Sequence, residues 1–203
     1  MGHRIITIGR QFGSGGHEIG AEVARRLGIE CYDKQLITMA AKRGALNHER
    51  LGAFDERQES PWLYEGTYEG NHRVQRGQPI SEVLFRLQSD VIRSIARRED
   101  AVIIGRCADF VLREALDTEL LTVFIVAPFE NRVQRKMRLE DIGQKRAESL
   151  VRKMDRQRGK YYKAHSGLEW GDPQKFDLYF DSGIHSPEKI IDGIVKAASQ
   201  NKN

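Results

Sequence analysis

The clearest chemistry lies in Gly9-Arg10-Gln11-Phe12-Gly13-Ser14-Gly15-Gly16-His17-Glu18-Ile19-Gly20. The apolar run Ile5-Ile6-Thr7-Ile8 precedes it, and Ile19, Val23, Ala24 and Leu27 follow at helical spacing. Glycines between a strand and a helix let backbone N–H groups turn inward without a Cβ clash. The first-turn amides of the helix then face an anion with the helix dipole behind them. This pattern predicts phosphate binding, with Gly13, Ser14, Gly15, Gly16, His17 and Glu18 as the cofactor-binding residues. A tight strand-to-helix connection without a ligand would use the same glycines. The fit to a Walker loop is imperfect. With Gly13-Ser14-Gly15 on its Gly-x-Gly, Gly16 stands where the lysine belongs. His17 stands where Ser or Thr would hold Mg²⁺, and Arg10 where the first glycine would be.

Other residues suit phosphate chemistry. Arginine grips phosphate through planar, permanently charged donors. Arg106 and Arg158 are the candidates for an acceptor, and Arg132 and Arg135 for a transferring phosphoryl group. The alternative for the latter two is an exposed helix face paired with Glu130 or Glu140. Asp33 follows a candidate strand, where α/β folds bind ligands. It either organises Mg²⁺ or hydrogen-bonds the acceptor, or it caps the helix after Lys34. Asp155 and Arg158, three residues apart, share one helix face and either pair or jointly hold a nucleotide. His17 contacts phosphate or is an exposed helix-start residue.

The elements that must position these groups alternate. Strands are predicted at 5–8, 29–32, 101–104, 120–126 and 176–180. Helices are predicted from Glu18 to a stop at Gly28, and near 81–98 (Ser81 as N-cap), 107–116, 129–139, 144–163 and 187–199. The strand runs 101–104 and 120–126 are continuously apolar, as expected when helices cover both sheet faces. The order predicts a three-layer α/β fold with a five-stranded parallel sheet and right-handed crossovers. It reads as one domain over 1–203 with a helical lid at about 136–160 and an inserted arm at about 44–79. The arm is polar, rich in glycine and aromatics, and without a firm period. A loop of that length is functional, mobile, or packed on another copy of the chain as a homodimer contact.

The run Ser14-Gly15-Gly16-x-x-Ile19 after Arg10-Gln11-Phe12-Gly13 resembles the first motif of the cytidylate kinase-like family. That family is similar to the nucleoside monophosphate kinases, with glycine at the lysine position. Leu27 to Ile37 resembles the segment in which an Asp, here Asp33, ends the second strand near the acceptor phosphate. Val102-Ile103-Ile104-Gly105-Arg106 resembles the third-strand motif that presents an Arg to the acceptor, although Cys107 replaces the Asp usual in cytidylate kinases proper. Val123 to Ala127 with Glu130, Arg132 and Arg135 resembles the fourth strand and the start of the lid. Asp155-Arg156-Gln157-Arg158 resembles the Asp/Arg cluster after the lid, and 176–180 the final strand. The resemblance implies a P-loop NTPase-like fold and ATP-dependent phosphorylation of CMP or dCMP with Mg²⁺. It also implies that another cation replaces the lysine, Arg10 being nearest and the lid arginines the other source. Catalytic roles then fall to Arg10, Asp33, Arg132 and Arg135.

Bulk properties bound the rest. In 203 residues, 39% hydrophobic content suits one domain with a core. A net charge of +4 gives no ground for nucleic-acid binding, although cations cluster from Arg132 to Arg158. Cys31 and Cys107 read as buried small hydrophobes, and the six histidines form no metal-ligand pattern. No apolar run approaches a membrane span, and the expected location is cytoplasmic. The expected partners are nucleotide substrates. Two other functions fit the motifs: a P-loop kinase for another small acceptor, with Asp33 as base, and a nucleotide sensor that does not catalyse.

Overall fold

The computed structural model describes residues 2–44, 68–69, 73–74, 77–115 and 118–200. β1 (His3–Arg10) leads into α1 (Gly16–Leu27), then β2 (Glu30–Tyr32) and α2 (Gln35–Arg43). A short antiparallel pair, β3 (Tyr68–Glu69) and β4 (Arg73–Val74), precedes α3 (Ile80–Ala96). β5 (Ala101–Ile104), α4 (Ala108–Leu112), β6 (Thr118–Val126) and α5 (Phe129–Glu140) follow. α6 (Gln144–Ser166), β7 (Leu178–Asp181) and α7 (Pro187–Gln200) complete the order. The main sheet has five parallel strands in the order β2-β5-β1-β6-β7. The arm expected at about 44–79 lies mostly outside the described residues.

Side-chain alternation along the strands builds two cores. Ile5 and Ile103 meet Leu36, Val83, Leu87, Ile92, Ile95 and Leu112 from α2, α3 and α4. Ile6, Ile8, Val102, Ile104, Val123 and Ile125 meet Ile19 and Val23 of α1 and Ile190 and Ile194 of α7. Two smaller clusters fix α5 and α6. Tyr161 and Tyr162 pack with Cys107 against Phe85, Phe110 and Trp170, while Val133, Ala147 and Val151 pack against Phe12 and Phe129. Because every sheet strand is parallel, their carboxyl ends share one edge, and the loops that leave it form the site.

Several boundaries differ from the predicted ones. α3 starts at Ile80 with Pro79 as N-cap, so Ser81 is inside the helix. α4 starts at Ala108, one residue later than predicted, because Cys107, at φ 54, has a left-handed backbone that no α-helix continues through, and it ends at Leu112, short of 116. The last strand begins at Leu178 because Asp177 turns aside: its Oδ2 accepts from both the N–H and the hydroxyl of Thr122, each at 2.8 Å. The lid region is a helical hairpin, α5 and α6, turned at Asp141 with φ 49. Gly28 caps α1 in the left-handed conformation, as its position predicts. No helix among the described residues is long and apolar enough to cross a membrane.

α6 docks on α3 partly through His165, whose ring stacks on Phe85 with centroids 3.9 Å apart. The buried His165 Nε2 has no hydrogen-bond partner among the described residues. Burial pushes its pKa down to about 4 from an ordinary 6.5. Below 6.5 the unfolded chain binds a proton that the native state refuses, so this contribution to stability is full above 6.5 and lost as pH falls toward 4. The loss amounts to about 3 kcal/mol. In chemical denaturation measured from pH 7 to 4, His165→Phe should flatten the acid loss of stability by about that amount relative to wild type. An identical pH slope in the two proteins would contradict this account.

Candidate active site

The turn from β1 to α1 passes through the left-handed region at Gly13 (φ 85) and Gly15 (φ 83), where a side chain would be strained. Phe12 N–H donates to Asp155 Oδ1 at 2.8 Å, and Ser14 N–H to the Gln11 carbonyl at 3.3 Å. The N–H groups of Gly13, Gly15, Gly16 and His17 donate to no acceptor among the described residues. Helix N-termini leave such donors by construction. Here the glycine turn adds more donors at the same point, which makes a cradle for an anion.

The cradle is held from outside. Arg132 Nη1 reaches Asp155 Oδ2 at 2.5 Å and donates to the Phe12 carbonyl at 3.3 Å, and its Nε donates to the Ala127 carbonyl at 2.9 Å. The Arg132 side chain is only 7% exposed. The Phe12 ring is flanked by Lys136, with Nζ 4.2 Å from its centroid, and by Arg158, with Cζ at 5.5 Å. On the other side Ser182 Oγ donates to the Ser14 carbonyl at 2.7 Å, and Gln11 Oε1 accepts from Ala127 N–H at 3.1 Å. α5, α6 and the loop after β7 therefore all grip the turn.

Asp33, after β2, is buried and faces a histidine and two guanidinium groups. His17 Nδ1 lies 2.8 Å from its Oδ2, and Arg10 Nη2 and Arg106 Nη2 each lie 3.8 Å from its Oδ1. The capping alternative for Asp33 does not occur: α2 takes Lys34 as N-cap with no side-chain cap bond. Arg106 is delivered by a strained turn, since Gly105, Arg106 and Cys107 are consecutively left-handed at φ 75, 61 and 54. Each non-glycine residue in that region costs about 1–2 kcal/mol. Burial pulls the Arg106 pKa down to about 10, helped by the charges of Arg10 and Arg158 and opposed by Asp33, so its guanidinium is still charged at neutral pH. Arg158 Nη1 donates to the Arg10 carbonyl at 3.2 Å, which brings a third guanidinium to the same place.

Two clefts meet at the cradle. A cleft of about 460 Å³ is lined by Arg10, His17, Asp33, Lys34, Lys136, Met154 and Arg158 together with the loop glycines. A second, of about 350 Å³, runs behind Gly13, Ser14 and Gly15 between Asn131, Arg138 and Ser182. Glu18 and Arg135 border both. They pair at 2.9 Å, and the Arg135 guanidinium carbon would lie 3.7 Å from a Cβ placed on Gly15. Burial works to raise the Glu18 pKa, but its own backbone N–H and Arg135 outweigh it and hold the carboxyl below its ordinary value.

The structure thus gathers Arg10, Gly13, Gly15, Gly16, His17, Glu18, Asp33, Arg135 and Arg158 around one cleft, with Arg106 immediately behind Asp33. Arg132 differs from the expectation: it braces the loop and lines neither cleft, because the Asp155 carboxylate and two carbonyls use its guanidinium. Asp155 pairs with Arg132 and the Phe12 amide, not with Arg158 or an open nucleotide site. Lys136, not Arg132 or Arg135, makes the ion pair with Glu140. The Ser14 side chain is turned inward, its Oγ donating to the Gln11 carbonyl at 2.9 Å. Sequence reasoning missed Lys136 and Lys34 in the cleft wall, Phe12 as the anchor of the turn, and Asn131, Arg138 and Ser182 in the second cleft. Only Phe12, an aromatic beside a glycine run, carried a local signal. Among the described residues no group of three metal-ligating side chains occurs, so a divalent cation here would rely on Asp33 and on oxygens of its ligand.

Removing one partner of a buried pair leaves an uncompensated charge. Asp155→Asn should therefore cost roughly 3 kcal/mol of unfolding free energy, read from denaturant midpoints. It should also weaken anion binding by the turn, because Phe12 loses its anchor. A change below about 0.5 kcal/mol, the scale of a surface substitution, would show that the brace does not hold the loop.

Among solved structures, the chain is similar to an uncharacterized protein from Eubacterium ventriosum, with 25% identity, a TM-score of 0.73, and 97% of this chain and 99% of that one covered. It is similar in fold to shikimate kinase from Aquifex aeolicus (20% identity, TM-score 0.50, 98% and 97% covered). A gluconokinase from Sinorhizobium meliloti gives 14% identity and a TM-score of 0.57, with 97% and 91% covered. No curated relative matches the chain. The parallel sheet, the cradle after its first strand and these likenesses make the architecture that of a P-loop small-molecule kinase. Residues 5–184 match the cytidylate kinase-like family, and the chain belongs to it.

Proposed function

We propose that the chain transfers the γ-phosphoryl group of ATP to a nucleoside monophosphate, with CMP and dCMP as acceptors. One observation carries this reading: the loop residues whose amides make no internal bond, Gly13, Gly15, Gly16 and His17, border the same cleft as Arg10, Asp33 and Arg158, and the Arg106 guanidinium lies 3.8 Å from the Asp33 carboxylate. Donors and guanidinium groups gathered in this way suit two phosphate-bearing ligands meeting end to end. Phosphoryl transfer needs positioning and charge neutralisation more than covalent help. The amides from Gly13 to His17 hold the donor's phosphates. Arg135, beside Gly15, stands over them, and the cleft with Asn131, Arg138 and Ser182 takes the donor base. Arg106 and Arg158 grip the acceptor phosphate, which is already ionised and requires no strong base. Asp33 is the carboxylate that would hold a Mg²⁺ ion bound with ATP, which would supply charge neutralisation at the phosphates. The cytidine preference is supported by the family description.

A second reading has a specific basis. His17 sits 2.8 Å from Asp33 and orients it. The similar folds include kinases named for shikimate and gluconate, which offer hydroxyl groups as acceptors. For a hydroxyl acceptor Asp33 would take the proton, and general-base removal of that kind costs about 10²–10⁴ in rate.

A coupled assay over pyrimidine and purine monophosphates and small hydroxylated acids separates the readings. Turnover of CMP and dCMP is expected, with Asp33→Asn changing kcat and KM together through a weaker hold on Mg²⁺. Absence of turnover with every pyrimidine monophosphate rejects the stated acceptor. Turnover of a hydroxylated acid, with Asp33→Asn lowering kcat by about 100-fold or more at unchanged acceptor binding, establishes the second reading. ATP binding without transfer to any acceptor makes the chain a sensor.

A further inference from the structure

Gly16 occupies the position of the lysine that normally meets the β and γ phosphates, and the structure shows why no longer side chain fits there. A Cβ placed on Gly16 would lie 2.6 Å from Arg10 Cβ and 3.1 Å from Arg10 Cγ. Real Cβ atoms essentially never approach so closely, and the obstruction is the rigid root of the arginine, not its flexible end. The contact follows from strand geometry. Arg10 is the last residue of β1 and continues the face of Ile6 and Ile8, which α1 covers. The chain reverses through Gly13 and Gly15, so the first residue of α1 crosses that face at Arg10. Beyond the contact, the Arg10 guanidinium runs along the cleft floor to 3.8 Å from Asp33 Oδ1. It lies between the amide cradle and Arg106.

We infer that Arg10 and Gly16 form an exchanged pair: the strand-end arginine supplies the cation that contacts the donor's terminal phosphate, and its stem excludes any side chain at position 16. The inference rests on the phosphotransferase reading above and adds the source of the cation to it. It also gives Gly16 a steric role separate from backbone conformation, since Gly16, unlike Gly13 and Gly15, has no positive φ. A cation delivered from the strand stands on the sheet itself, whereas one on the helix would rise from the turn.

The test uses the full chain and two readouts that need no acceptor: thermal midpoint, and affinity for Mg-ATP against Mg-ADP. Gly16→Ala should lower the midpoint, and Arg10→Gly in the same chain should restore it, because the second change removes the clashing stem. Arg10→Gly alone should weaken ATP by about 10- to 100-fold, the scale of a hydrogen bond to a charged group, and ADP much less. The double variant Arg10→Gly/Gly16→Lys should recover most of the preference for ATP over ADP. The inference is overturned if Gly16→Ala is as stable as wild type, or if Arg10→Gly leaves the ATP/ADP ratio unchanged. A double variant no better than Arg10→Gly alone overturns the exchange of roles. Failure of the phosphotransferase reading looks different: the wild-type chain then either binds nucleotide without transfer to any acceptor, which leaves both readouts in force, or binds neither nucleotide, in which case the charge role falls with it while the thermal rescue at position 16 is still read.

Discussion

Backbone N–H groups bind an anion only if the protein keeps them from bonding to itself, and the β1–α1 turn meets that constraint. A turn with several unbonded amides has little internal support, because the bonds that would stiffen it are those it must forgo. The support comes from the buried Arg132–Asp155 pair, which takes the Phe12 amide and carbonyl on one side of the cradle. Ser182, after the last sheet strand, takes the Ser14 carbonyl on the other. The N–H groups of Gly13, Gly15, Gly16 and His17 are thereby left without an acceptor among the described residues, on a turn braced from both sides, the arrangement that makes preorganised electrostatics effective.

A cluster of guanidinium groups lies beside the cradle. Arg10, Arg106 and Arg158 crowd one edge, and Asp33 balances part of their charge. The depressed pKa of Arg106 and the left-handed turn at Gly105–Cys107 both record stored strain. Perturbed groups and strained backbone of this kind gather at functional sites, where the surrounding fold over-determines them. A ligand that binds only the folded cradle would stabilise the fold by linkage.

The same contacts couple the phosphate loop to the α5–α6 hairpin. Phe12 belongs to the loop by sequence and to the hairpin's apolar cluster by packing, with Lys136 and Arg158 over its ring. Displacing the hairpin would uncover Phe12 and break the bonds that Asp155 and Arg132 make to its amide and carbonyl together, which makes loop and hairpin one mechanical unit. Arg158 extends that unit to the end of β1 through the Arg10 carbonyl.

The sequence by itself determined the layers and the place of the cradle. Continuous apolar strand runs, helical spacing after Glu18 and glycines between them are local signals, and local sterics convert them into a strand, a turn and a helix without reference to the rest of the chain. The arginines were visible as residue types, but their duties were not. Arg132 and Arg135 stand three residues apart on one helix, yet one is buried as a brace and the other borders both clefts. Asp155 and Arg158 share a helix face, yet the first serves the loop's backbone and the second the cleft. Asp33 could have capped α2, and only the arrival of His17, Arg10 and Arg106 from three other segments turned its carboxylate to the site. Tertiary structure decided these roles because a charged side chain goes where its desolvation is best compensated, and the compensating groups lie up to about 140 residues away in the chain.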